Sequence, residues 1–216
     1  NTDDYHNATI LEFDFLPFNN DMNFNFIFAS NEYGQYQCNY SDAFAFFLTN
    51  TVTGVTTNLA LVPNTTLPIS VTTIRNGAHN AGVNGICVDG NPISMNETYF
   101  DSYNAGSTTN AINFIGQTVK MVAQSSVVPF TKYHIKMVIQ DRGDSSMDSA
   151  VFIEGGSFNI GSLDLGNPVL IGEGNGLCVG DSYTLQAGMN PLLFTFEWFK
   201  DGIQIPGQTG ATLTVT

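Results

Sequence analysis

Charged side chains are scarce in this sequence, and positive ones are the scarcest. Only 12% of the 216 residues are charged, and six Lys and Arg against 19 Asp and Glu give a formal net charge of −13. About twice this charged fraction is usual in globular domains. We therefore expect no nucleic-acid partner, because a phosphate backbone would be repelled by such a surface.

Long apolar runs are also missing. No stretch approaches the roughly 20 apolar residues of a membrane-spanning helix, so direct membrane insertion is not expected. Residues 1–10 lack the basic segment and apolar run of a signal peptide. We interpret the chain as a mature segment of an extracellular protein whose signal peptide and anchor lie elsewhere.

Cysteine is rare and odd in number. The three cysteines are Cys38, Cys87 and Cys178, so at least one has no partner inside this sequence. Cys38 and Cys87 lie together in the first three quarters of the chain, and an oxidising compartment favours their pairing. We predict a Cys38–Cys87 disulfide and place the partner of Cys178 outside this sequence.

Small polar and aromatic residues are abundant instead. The sequence has 23 Asn, 22 Thr, 17 Phe and eight Tyr. So many aromatic residues argue against disorder, and the shortage of Lys and Glu disfavours long helices. The composition is typical of an all-β extracellular protein.

Alternation of apolar and polar residues predicts the strands. In Leu11–Phe15, Leu11, Phe13 and Phe15 share one face, while Glu12 and Asp14 share a solvent face. The same reasoning predicts further strands at 24–29, 43–49, 58–62, 69–74, 111–124, 133–140 and 150–158. This spacing favours a two-sheet sandwich or jelly roll, with a long ordered insertion over residues 76–110.

A glycine-rich stretch at residues 161–176 predicts a linker between domain 1–160 and a second region at 177–216. In the second region, 182–185, 194–199 and 212–215 resemble strands of an immunoglobulin-like domain, with Trp198 at the position of the core Trp. The sequence ends before the sixth strand of that fold, so we expect a truncated immunoglobulin-like domain.

Three separated stretches of the first region resemble the choice-of-anchor L domain, a bacterial surface module. They read ATILEFDFLPF, FIFASNEYGQYQCNYSDAFAFFL and YHIKMVIQDRGDSSMDSAVFIEGGSF. The resemblance implies a large secreted or cell-surface protein of Bacteroidetes or their relatives, often with immunoglobulin-like repeats after the module. One departure is Asn31, where the resemblance implies a second acid beside Glu32.

An acidic loop offers ligands for a hard cation. Residues 141–148 hold three carboxylates beside Gly143, and Ca²⁺ takes six to eight oxygen ligands from such folded-back loops. Glu32 and Asp42 lie at the ends of neighbouring strands, a pattern similar to the Ca²⁺ site of CUB domains. The predicted calcium ligands are Glu32, Asp42, Asp141, Asp144 and Asp148. The alternative is that these acids cap turns through backbone amides.

Three tyrosines, Tyr33, Tyr36 and Tyr40, lie in a polar segment between these acids. They form either a sugar-stacking surface or part of the packing beneath the insertion. Spacing alone leaves both readings open.

The sequence thus predicts an all-β, CUB-like or jelly-roll β-sandwich with a long loop insertion, followed by a partial immunoglobulin-like β-sandwich. No catalytic motif is present, so we expect a non-enzymatic, calcium-stabilised adhesion module at the bacterial cell surface. Its expected partners are an extracellular glycan, a surface protein or neighbouring copies in a fibre. The alternatives are a structural spacer of a surface fibre and, third, an accessory domain of a glycan hydrolase.

Overall fold

The computed structural model describes residues 5–38, 40–79, 93–107, 109–143, 145–162, 176–189, 191–192 and 194–216. Its chain divides into two compact units, Asn1–Gly161 and Ser162–Thr216. Regular structure in the described residues is almost entirely β-strand, which confirms the all-β prediction.

Two antiparallel sheets build the first unit. The strands are β1 (Tyr5–Phe15), β2 (Asp21–Ser30), β3 (Ala43–Asn50), β4 (Thr56–Asn58), β5 (Phe100–Tyr103), β6 (Gly116–Thr118), β7 (Met121–Ser126), β8 (Tyr133–Arg142) and β9 (Ser149–Ile153). One sheet has the order β1-β8-β3-β4. In the other, β2 pairs along one edge with β6 and β7 and along the opposite edge with β9, and β5 pairs with β6.

The inner faces of β2 and β3 supply an aromatic core. Alternate residues of β2, from Met22 to Phe28, are at most 1% exposed. Across the sandwich, the ring centroids of Phe26 and Phe46 lie 4.9 Å apart at right angles, and those of Phe28 and Phe44 are stacked at the same distance. Full burial of each such side chain contributes about 1.5–3 kcal/mol, so these rings hold the two sheets together.

Several strand predictions for the first unit are wrong in detail. Only Asn58 of the predicted strand 58–62 lies in a strand, β4, and β9 ends at Ile153 rather than at residue 158. Residues 69–74 form a buried turn rather than a strand, because the Ser70 amide donates to Thr73 Oγ1 and the Ile74 amide donates to Ser70 O. Ile69 and Ile74 are still 1% and 0% exposed. The predicted strand 111–124 is instead two strands, β6 and β7.

The insertion at 76–110 is partly regular. It contains β5 and short 3-10 turns at Gly77–His79 and Glu97–Tyr99, while residues 80–92 lie outside the described part. Arg75, at its base, is 2% exposed and donates hydrogen bonds to the carbonyl oxygens of Thr72 and Ile93. This buried guanidinium therefore connects the turn before the insertion to Ile93 within it.

The second unit contains β10 (Tyr183–Gln186), β11 (Phe199–Lys200), β12 (Ile203–Gln204) and β13 (Thr212–Val215). Strands β10 and β13 pair antiparallel, as do β11 and β12. Trp198 is half-buried and donates its indole N–H to Gly210 O at 2.9 Å. The immunoglobulin-like identity of this unit stays a prediction.

A search of the described residues for membrane spans finds no helix with the length and apolar character to cross a bilayer.

Candidate functional site

Four strand ends meet at one end of the first unit. Ser30, the last residue of β2, pairs with Ser149, the first of β9. In the other sheet, Ala43 at the start of β3 pairs with Gln140 near the end of β8. The connecting segments therefore lie at the same end of the sandwich. We call this end the rim, meaning the described residues of 31–42 and 141–148.

Glu32 and Asp42 join the two sheets across the rim. The Asp42 amide donates a hydrogen bond of 2.8 Å to Glu32 Oε2. Asp42 is 4% exposed and Glu32 is 5% exposed. The Glu32 amide in turn donates to Ser30 Oγ at 3.0 Å. Two carboxylates are thus held almost out of solvent at the junction of β2 and β3.

The last residues of β8 bring two further groups to this junction. The Arg142 amide donates to Asp42 Oδ1 at 3.4 Å, and the buried Asp141 accepts a hydrogen bond of 2.7 Å from Asn7 Nδ2. Asp148 is exposed and contributes its backbone oxygen, which accepts from the Asn31 amide at 3.1 Å. Glu32, Asp42 and Asp141 are thus buried, whereas the side chain of Asp148 is exposed and it is the backbone oxygen that bonds to Asn31.

Calcium binding by these acids stays a prediction. Among the residues that the structure describes, no group of three or more His, Cys, Asp or Glu side chains is arranged to hold a metal ion. The predicted ligand Asp144 lies outside the described residues. Two carboxylate oxygens of the rim accept hydrogen bonds from backbone amides, Glu32 Oε2 from Asp42 and Asp42 Oδ1 from Arg142, but neither donor lies in the acid's own turn, so the turn-capping alternative is not shown either.

Asn31 occupies the position where the resemblance implies an acid. Its Oδ1 accepts a hydrogen bond of 3.2 Å from the Ile115 amide, so the side chain ties the rim to the segment before β6. A carboxylate there would still accept that bond, but it would add a further negative charge beside Glu32.

The three predicted tyrosines separate into a core residue and a surface pair. Tyr33 is 1% exposed and packs against Phe100, with ring centroids 5.1 Å apart. Burial, and to a smaller extent the charge of Glu32, raises the pKa of its hydroxyl far above the ordinary value. Tyr33 therefore lies in the core, as the packing alternative expects.

Tyr36 and Tyr40 instead face a cavity. Tyr40 is 44% exposed, and its ring stands at 88° to that of Tyr36 with a centroid separation of 5.7 Å. Hydrogen bonds from the Tyr36 amide to Glu32 O and from the Tyr40 amide to Tyr36 O wind this segment into helical turns. That winding places residues four apart on one side.

The cavity has a volume of about 290 Å³ and is lined by Glu32, Tyr36, Tyr40, Ser146 and Met147. Ser146 and Met147 were not among the predicted site residues. Met147 has a left-handed backbone with φ of 69°, a conformation that no sequence pattern around it indicates. The cavity offers two rings, a thioether, a hydroxyl and a carboxylate to a small ligand.

The cysteine predictions concern the same segment. Cys38 is 5% exposed within the rim, whereas its predicted partner Cys87 lies outside the described residues. The disulfide therefore stays a prediction. Cys178, in the second unit, is an exposed free cysteine.

Comparison with known proteins gives one finding. The family model of the choice-of-anchor L domain matches residues 1–159. No curated protein and no solved structure matches the chain. The match includes the whole rim and both sheets of the first unit.

Proposed function

Because this chain belongs to the choice-of-anchor L domain family, a family of surface-associated modules, we propose that it is a non-enzymatic adhesion module of a secreted bacterial surface protein. In this proposal the rim is stabilised by calcium, and the cavity beside Tyr36 and Tyr40 binds an extracellular glycan or a surface protein.

The observation that carries the proposal is the buried contact between Glu32 and Asp42, because Glu32 also lines the cavity beside Tyr36 and Tyr40. The described rim segments hold the acids Glu32, Asp42, Asp141 and Asp148 against a single arginine, Arg142. Glu32, Asp42 and Asp141 are buried, and buried carboxylates at one end of the sandwich repel one another, so a cation at the rim would stabilise the folded state.

The surface pair of tyrosines supports the ligand-binding part. An exposed ring set at right angles to a half-buried one offers an apolar face and two hydroxyls, which is what sugar recognition uses. The cavity volume is just below the range usual for small-molecule sites and can hold one or two sugar units.

Calcium titration tests the first part. The melting temperature of the full chain should rise with calcium by the amount that the ratio of free calcium to Kd dictates, and a chelator should reverse the rise. Asp144→Asn should weaken calcium binding, whereas Asp21→Asn, at the opposite end of β2, should not. No heat of binding at millimolar calcium and a melting temperature indifferent to chelator would refute calcium stabilisation.

A glycan array with the full chain, with and without calcium, tests the second part. Tyr40→Ala should abolish the signal, whereas Phe199→Ala, which removes an exposed ring of the second unit, should leave it unchanged. Binding that survives Tyr40→Ala would place the ligand elsewhere. A chain that binds neither glycans nor bacterial and host cell surfaces would favour the structural spacer.

A further inference from the structure

The side of the sandwich between β1 and β9 is open. Leu11 pairs with Met137, and Ile153 pairs with Phe26. Met137 and Phe26 are 7% and 1% exposed, and directly opposed residues share a face, so Leu11 and Ile153 also point toward the core. Nevertheless Leu11 is 54% exposed and Ile153 is 41% exposed.

A cleft between the two strands explains this exposure. It has a volume of about 130 Å³, and its walls include Leu11, Met137, Ile139, Val151 and Ile153. The space is comparable to one large aliphatic side chain. Toward the other end of β1 the same side is closed, because the ring of Phe158 lies 5.5 Å from that of Phe13 and 5.4 Å from that of Phe15.

The opposite side of the sandwich, between β4 and β7, differs. The inward residues of β7, Met121 and Ala123, are only 4% and 0% exposed. The groove there is larger, about 580 Å³, but polar groups such as Asn64, Lys120 and Gln124 line much of it. Within the described strands of the first unit, core-facing aliphatic residues that are more than 40% exposed therefore lie on the β1/β9 side.

Both strands at the open side also have an edge along which no other described strand pairs. Within the described part of the chain, β1 pairs only with β8, and β9 pairs only with β2. Natural proteins protect such edges with bulges, prolines or inward-pointing charges. In β1 the register shift between His6 and Thr9 protects one end, whereas Thr9–Phe15 continues regularly with apolar inward residues.

Charge on the outer face of β1 is balanced. Asp14 pairs with Lys132 at 2.6 Å and with His134 at 2.9 Å. Glu12 lies 3.7 Å from Lys136. In a chain of net charge −13 this neutral face permits a second copy to approach where most of the surface would repel it.

We propose that a second copy of this chain covers the open side, with the β1 strands of the two copies pairing antiparallel across a two-fold axis at Leu11. In this register Leu11 opposes Leu11 of the second copy, and Ile10 opposes Glu12. No acid then faces an acid, as would happen if the axis passed through Glu12. The two β1-containing sheets become continuous, and each copy covers the exposed, core-facing residues Leu11 and Ile153 of the other.

Light scattering on the full chain measures the molecular mass in solution and so tests for the dimer. At about 100 µM the mass should approach twice 23.4 kDa and should fall on dilution. Leu11→Lys, which places a charge on the inward face of the edge, should weaken dimerisation at least tenfold. Val122→Lys, on the other edge strand β7 and 51% exposed, is the matched control and should leave the mass unchanged.

Two further variants keep the test decisive. Ile10→Glu changes the solvent face of β1, leaves the core untouched and places an acid opposite Glu12 of the second copy, so it should weaken the dimer even if Leu11→Lys fails to fold. In a Cys178→Ser background, Leu11→Cys should form a disulfide-linked dimer, whereas Val122→Cys should not. A monomer at every concentration, or a dimer that both Leu11→Lys and Ile10→Glu leave intact, overturns the proposal.

Discussion

The Asp42 amide donates a hydrogen bond of 2.8 Å to Glu32 Oε2, and this bond joins the end of β2 in one sheet to the start of β3 in the other. Both residues are almost completely buried. The Glu32 carboxylate is therefore a hydrogen-bond acceptor that supports the fold, whatever else binds at the rim. Mutation can separate this role from the effect of its negative charge.

Two substitutions of Glu32 distinguish its role as a hydrogen-bond acceptor from the effect of its charge. Glu32→Gln keeps an oxygen for the Asp42 amide, whereas Glu32→Ala leaves that buried amide unsatisfied at a cost of about 1–3 kcal/mol. Urea unfolding in chelator should therefore rank Glu32→Ala well below Glu32→Gln in stability. Equal loss in both variants would show that the charge, rather than the hydrogen bond, is what the fold needs.

Gly116 contacts the buried ring of Tyr33 so closely that no side chain fits. A Cβ at Gly116 would lie 2.6 Å from atoms of that ring, whereas one at Gly155 would meet nothing within 4 Å. Gly116→Ala should lower the free energy of unfolding by about 1–3 kcal/mol, and Gly155→Ala should change it little. Thermal unfolding of both variants measures the difference, and a neutral Gly116→Ala would contradict the tight packing.

Asp14 gives a prediction for acidic pH. The hydrogen bond from Lys132, followed by that from His134, lowers the pKa of Asp14 below its ordinary value of 3.8. Its contribution to stability is therefore fully present above that value and is lost as the pH falls through the lower folded-state pKa. The effect is small, because these side chains are exposed to solvent.

Asp14→Asn should therefore flatten the loss of stability below pH 4, measured by urea unfolding as a function of pH. Glu97→Gln, which removes an exposed acid of a short 3-10 turn, serves as the control. If the free energy of unfolding falls equally steeply with decreasing pH in Asp14→Asn and in the unmodified chain, the pairs of Asp14 with Lys132 and His134 add nothing to stability at acidic pH.

Alkylation followed by intact-mass measurement decides the cysteine pairing. The native chain should take one label, at Cys178, and three after reduction and unfolding. The predicted Cys38–Cys87 loop spans about 50 residues, for which chain entropy gives roughly 4 kcal/mol of stabilisation. Three labels on the unfolded but unreduced chain would rule the disulfide out.

The rim shows how far sequence reasoning reaches. Glu32, Asp42 and Asp141 could be named because each borders a predicted strand, and antiparallel strands bring such ends to one rim. Tyr33 and Tyr40 could not be told apart, since both belong to one polar segment. Their exposures of 1% and 44% depend on the winding of that segment and on the contact with Phe100.

The sequence by itself determined the all-β class and most of the long strands, because alternation along a strand is a local property that assigns each side chain to a face. Only the tertiary structure decided which inward faces are covered. Leu11 and Phe13 follow the same pattern in β1, yet Phe158 packs on Phe13 while Leu11 remains 54% exposed. Burial depends on which side chain lies across the gap, and Phe158 comes from a segment after β9 that is more than a hundred residues away along the chain.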